Sequence, residues 1–166
     1  MKIFADSARL SSGWANDVRI TIKQGIINAI ELQTAPDAQD IHVDTLLPAL
    51  PNLHSHSFQR AMAGMSEYRT KDHESFWTWR KLMYRFLDHL RPDDVMAIAA
   101  MTFMEMQKAG YGSVGEFHYV HHQPSGKPYD DIAELSVRIL EAADETGIGL
   151  THLPVLYSYG GVNKTP

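Results

Sequence analysis

Three apolar runs, separated by stretches of helical periodicity, limit what this chain can fold into. They are "LLPALPNLHSH" from Leu46, "YGSVGEFHYVHH" from Tyr111 and "IGLTHLPVLYS" from Ile148. Strands alternating with helices imply βαβ units and a parallel sheet. The first run shows little polar alternation, as expected of a strand buried on both faces. After it, "SFWTWRKLMYRFLDHL" puts Phe76, Trp79, Met83 and Phe86 at helical spacing. "RPDDVMAIAAMTFMEMQKAG" opens on Pro92 and two acids and closes on Lys108 and Gly110, the signals of a helix's two ends. It has no Ser or Thr cap before Pro92. Before the third run, "DDIAELSVRILEAADETG" aligns Ile132, Leu135, Ile139 and Ala142 on one helical face, with Gly147 as C-terminal cap.

The first 46 residues read differently. "VRITIKQGIINAIEL" alternates Val18, Ile20 and Ile22 with polar neighbours, turns at Gln24-Gly25 and becomes apolar again, which is a hairpin signal. "APDAQDIHVD" is a polar loop leading into another strand. The expected organisation is an N-terminal β segment over 1–46 and an α/β domain over 47–166. Closing a (β/α)8 barrel takes eight strands and about 250 residues. The α/β part is therefore expected to be an open sheet or the first part of a longer barrel.

Composition excludes several functions. A net charge of −5, with no stretch rich in Lys and Arg, argues against a nucleic-acid partner. No apolar run approaches the roughly 20 residues of a membrane span. The opening "MKIFADSARL" has no apolar stretch of the secretory kind, so a cytoplasmic location is expected. The chain has nine histidines and no cysteine. Any metal would have to be held by imidazole and carboxylate.

His54 and His56 stand one residue apart at the end of the first apolar run. Side chains two apart on a strand share a face, so both imidazoles can reach one metal ion. The same pattern also fits two surface histidines at a strand end. The position favours chemistry, because in βα series the C-terminal ends of strands carry the site.

In a wider window, "PNLHSHSFQRAMAG" resembles the first-strand metal motif of the amidohydrolase superfamily. Together with "SFWTWR" and "EFHYVHH", in that order, it resembles more narrowly the formimidoylglutamate deiminase family. The likeness continues through "EMQKAGYGSVGEFHYVHH" and "GIGLTHLPVLYS" and is weaker before Leu46. The resemblance implies a zinc-dependent (β/α)8 barrel with a small β-sandwich partly built from the N-terminus. It implies one zinc ion with His54 and His56 among its ligands, and Gln59, Arg80 and Tyr119 as substrate contacts. The implied reaction is hydrolysis of the small molecule N-formimino-L-glutamate to N-formyl-L-glutamate and ammonia, in histidine degradation. A homodimer is expected at full length.

The resemblance also puts further metal ligands and the acid–base residues beyond residue 166. The chain is accordingly expected to be an N-terminal fragment, inactive by itself. Two other readings stay open. One is a related deaminase acting on a guanidine or a nucleobase, which "FWTWR" and "EFHYVHH" disfavour. The other is an inactive piece that self-associates through an open sheet edge. Each site residue also has a plainer role: Gln59 as a loop amide, Arg80 as a helix-surface cation, Tyr119 as a half-buried core residue. His118, His121 and His122 lie nearby, the last two in a loop. Trp77 and Trp79 read as packing, and His42, His73 and His89 as ordinary surface histidines.

Overall fold

The computed structural model describes residues 1–65, 67 and 76–158. They form two compact units, Met1–Ala49 and Leu50–Pro166. His73 lies outside the described residues.

The first unit is one four-stranded sheet. Its strands are β1 (Lys2–Leu10), β2 (Gly13–Lys23), β3 (Ile26–Glu31) and β4 (Ile41–Leu46), in the order β3-β2-β1-β4. β1 pairs antiparallel with β2 and parallel with β4. The turn between β2 and β3 falls at Gln24-Gly25, as the sequence predicts. Both residues have positive φ (51° and 76°), the twist a two-residue hairpin turn requires. Ala5, Ala8, Val18 and Ile20 are buried together. The long β3–β4 loop is pinned by Arg19, which donates to Asp40 Oδ2 (2.9 Å), Thr34 Oγ1 (3.1 Å) and Ala35 O (2.6 Å). The arginine beside it holds the Asp40 carboxyl below the usual carboxylate range. The described residues of this unit make a single layer.

The second unit is α/β. Its strands β5 (Leu50–Ser55), β6 (Tyr111–His118) and β7 (Gly149–Pro154) form a parallel sheet in sequence order. A 3₁₀ turn (Ser57–Met62), α1 (Phe76–Leu87) and α2 (Pro92–Lys108) connect β5 to β6, and α3 (Glu134–Thr146) connects β6 to β7. α2 buries Val95, Ala99, Thr102 and Phe103, and α3 buries Leu135, Ile139, Ala142 and Ala143. These stripes pack with Val114 of β6 into one core. Lacking a Ser or Thr cap, α2 starts on Pro92, and Asp94 Oδ2 accepts the Arg91 N–H (3.0 Å). α3 ends on Gly147 at φ 72°, the left-handed cap expected of it. Among the described residues no helix is long and apolar enough to cross a membrane.

Two expectations are corrected. Ile132 is not on the core face of α3 but is 77% exposed. Asp131 accepts the Ala133 N–H with its side chain (2.8 Å) and the Glu134 N–H with its carbonyl (3.1 Å), and this local turn delays the helix to Glu134. The first apolar run is also not one strand buried on both faces. Leu46 ends β4, the next strand begins at Leu50, and Leu50 and Leu53 are 58% and 82% exposed. β5 is an edge strand, and the helices cover only one face of its sheet.

Candidate metal and substrate site

The covered and uncovered faces of the sheet carry different residues. Along β6, Val114, Glu116 and His118 are buried on the helix side, and Ser113, Gly115 and Phe117 alternate with them. On β7, Leu150 and His152 are more covered than Thr151 and Leu153.

His54 is the penultimate residue of β5, and His56 lies just past its end. Their ring centroids are 4.7 Å apart, with planes at 85°. The two flank Ser55, which is buried on the opposite face beside Glu116, as alternation along a strand requires. The β5–β6 register shifts between Asn52 and Ser55, and Asn52 Oδ1 accepts the His54 N–H at 3.2 Å. Such a bulge re-aims a side chain at a strand end. His56 Nδ1 lies 2.9 Å from the Phe117 carbonyl oxygen. A carbonyl only accepts, so Nδ1 carries a proton, and in the neutral ring Nε2 is then the nitrogen with the lone pair. That tautomer is the one a metal-ligating histidine needs, fixed by a partner on its other nitrogen. Among the described residues no group of three or more His, Asp or Glu is spaced to hold a metal ion. The chain thus offers two fitting imidazoles and, in the described residues, no third ligand.

Gln59 and Tyr119 converge beside this pair. Gln59 Nε2 donates to Tyr119 Oη at 2.7 Å, and the Tyr119 ring stands edge-on to His56 at 5.2 Å. Burial raises the Tyr119 hydroxyl above its ordinary pKa, partly offset by the bond from Gln59, so it remains a proton donor. Arg80 is on α1, where it donates to Tyr84 Oη (2.8 and 3.2 Å) and lies 5.7 Å from the Trp77 ring. Tyr119 meets α1 one turn further on, at Met83 (Oη to Sδ, 3.8 Å). His42 binds Asp6 at the surface of the first unit (2.6 Å).

On the helix side lies a second polar cluster that spacing did not reveal. Glu116 is 1% exposed, and its Oε1 accepts the Ser57 N–H (2.7 Å) and hydroxyl (2.8 Å). The His118 ring lies 5.1 Å from His152 and 5.2 Å from His121. His152 Nε2 bonds Ser136 Oγ (3.0 Å), and His121 Nε2 donates to Val155 O (2.8 Å). Burial, then the charges of His152 and His121, lower His118 to about 3. Burial also lowers His152, against the pull of Glu116. The available signal was the alternation in "SVGEFH", which puts Glu116 and His118 on the face of Val114. The β6–β7 register then sets His152 beside Glu116.

Comparison with known proteins settles the family. The family described as "Amidohydrolase family" matches residues 45–157. The chain belongs to the amidohydrolase family. The first unit of this amidohydrolase matches "Formimidoylglutamate deiminase HutF, N-terminal domain" over residues 1–42. Over 165 residues it is 50% identical to the formimidoylglutamate deiminase of Pseudomonas aeruginosa, covering 99% of this chain and 36% of the relative. The crystal structure of an amidohydrolase from Brucella melitensis superposes with a TM-score of 0.92 at 41% identity, over 99% of this chain and 37% of that one. The zinc complex of atrazine chlorohydrolase TrzN from Arthrobacter aurescens superposes with a TM-score of 0.69 at 17% identity, over 92% and 35%, and shows a shared fold. This amidohydrolase thus spans little more than a third of the length of its curated relative.

Proposed function

We propose that this chain forms the first part of a formimidoylglutamate deiminase, and that it supplies two metal ligands and one wall of the substrate site. The whole protein would hydrolyse N-formimino-L-glutamate: water adds to the C=N carbon, ammonia leaves, and N-formyl-L-glutamate remains. The observation that carries this reading is the convergence of His54, His56, Gln59 and Tyr119 in a chain 50% identical to the Pseudomonas aeruginosa enzyme. The remaining strands of a (β/α)8 barrel and the second layer of the small β-sandwich belong to the same proposal, as do the homodimer and the cytoplasmic location.

In this reading His54 and His56 would hold zinc, with Nε2 the nitrogen of His56 left for it by the bond to Phe117. A bound zinc supplies a water acidified enough to be ionised near neutral pH. Further ligands come from other strands, since catalytic zinc normally takes three protein ligands plus water. Tyr119 and Gln59 orient the formimino group as hydrogen-bond partners. Arg80 takes a substrate carboxylate with its planar fork. The test is ammonia release from N-formimino-L-glutamate by the complete gene product, with N-formyl-L-glutamate formed in equal amount. A protein that binds zinc but releases no ammonia from this substrate would refute the assignment.

A further inference from the structure

We infer that Glu116 is a positioning residue for the metal-binding pair, acting through Ser57. The inference rests on the reading of His54 and His56 as metal ligands. Ser57 follows His56 directly and opens the 3₁₀ turn that also carries Gln59. The turn has no side-chain cap of its own. Glu116 reaches it from β6, across the sheet, and one carboxylate oxygen takes both the amide and the hydroxyl of Ser57. Ser57 is 2% exposed and Glu116 1%. A buried polar group is costly unless it is hydrogen-bonded; Oε1 makes both bonds, at 2.7 and 2.8 Å, while Oε2 is buried without a hydrogen-bond partner among the described residues.

The bond to Phe117 comes from the same strand. Phe117, next to Glu116, accepts from His56 Nδ1 on the sheet's other side. β6 therefore grips the turn twice in succession, by side chain at Ser57 and by carbonyl at His56. Losing the first grip frees the backbone that aims both His56 and Gln59.

The experiment measures zinc affinity of the complete gene product by chelator competition, with kcat and KM for N-formimino-L-glutamate. Glu116→Leu should lose about tenfold in zinc affinity, the low end of what removing an outer partner of a metal ligand costs, because Glu116 holds the ligand's neighbour and not the ligand itself. Its kcat should fall more than its KM rises. Glu116→Gln keeps an acceptor of the same reach and should restore affinity to within a few fold. Ser57→Ala, which keeps the amide bond and loses the hydroxyl bond, should lose about threefold. Wild-type zinc affinity in a folded Glu116→Leu protein overturns the inference. If that protein does not fold, wild-type affinity in Ser57→Ala does so. A Glu116→Gln protein as weak as the leucine variant also overturns it, since charge rather than the shared acceptor would then be what matters. His54→Ala separates the two readings. If it binds zinc like the wild type, the metal-site reading itself is wrong and the role of Glu116 falls with it.

Discussion

Gln59 Nε2 donates to Tyr119 Oη at 2.7 Å, tying the turn after β5 to the residue just past β6. The phenol oxygen is thereby occupied as an acceptor, and the Tyr119 proton is left facing a weak partner, Met83 Sδ at 3.8 Å. A substrate atom that accepts a hydrogen bond can displace that sulfur at little cost. Tyr119→Phe and Gln59→Leu should each lower kcat/KM about tenfold, near the worth of one hydrogen bond. The double variant should be little worse than either single one, because the two side chains act as a pair. A multiplicative loss in the double-mutant cycle would show that they act separately.

Arg80→Met should reduce kcat/KM for N-formimino-L-glutamate by the equivalent of about 1.5–3 kcal/mol, the range for a lost bond to a charged group. Arg80→Lys should restore only part of this, because an ammonium cannot reproduce the planar two-point contact. Unchanged kinetics in the methionine variant would return Arg80 to a packing role against Tyr84 and Trp77.

Acid should destabilise this protein through His118. Its pKa falls from 6.5 in the unfolded chain to about 3 in the fold, so the unfolded state binds more protons between those values. The stabilisation is complete above pH 6.5 and is lost as the pH falls toward 3, by up to about 1.4 kcal/mol per pH unit. His152 shifts the same way and adds to the effect. Thermal unfolding at pH 7.5 and pH 5 reads it out. The wild type should lose Tm on acidification, and His118→Leu should lose less.

Phe103 of α2 is fully buried in the core of the second unit. Phe103→Ala should cost about 3–5 kcal/mol by lost burial and the cavity left behind. Urea unfolding measures it, and a cost below 1 kcal/mol would mean that the core closes over the gap.

Much of this was legible in the sequence. Apolar periodicity gave the helices around Met83 and Ile139, the end signals at Pro92 and Gly110 gave the one that carries Phe103, and Gln24-Gly25 gave the hairpin, because these are local signals. The His-x-His spacing put His54 and His56 on one face, and their rings stand 4.7 Å apart; the bulge just before them, at Asn52–Ser55, is what the spacing does not encode. Gln59 and Tyr119 are 60 residues apart, and only the β5–β6 pairing brings them together. The approach of Glu116 to His152 was hidden for a related reason. Each looks like a lone polar residue in an apolar strand until strand register sets them side by side. Ile132 misled because its spacing was right while the Asp131 turn before it was not considered.

Metal content and ammonia release, measured on one preparation of the complete gene product and on its His54→Ala variant, test the central claim most directly. The account predicts a single zinc ion per active site, conversion of N-formimino-L-glutamate to N-formyl-L-glutamate and ammonia, and loss of both metal and turnover in the variant. A His54→Ala protein that keeps its zinc and its ammonia release would contradict it.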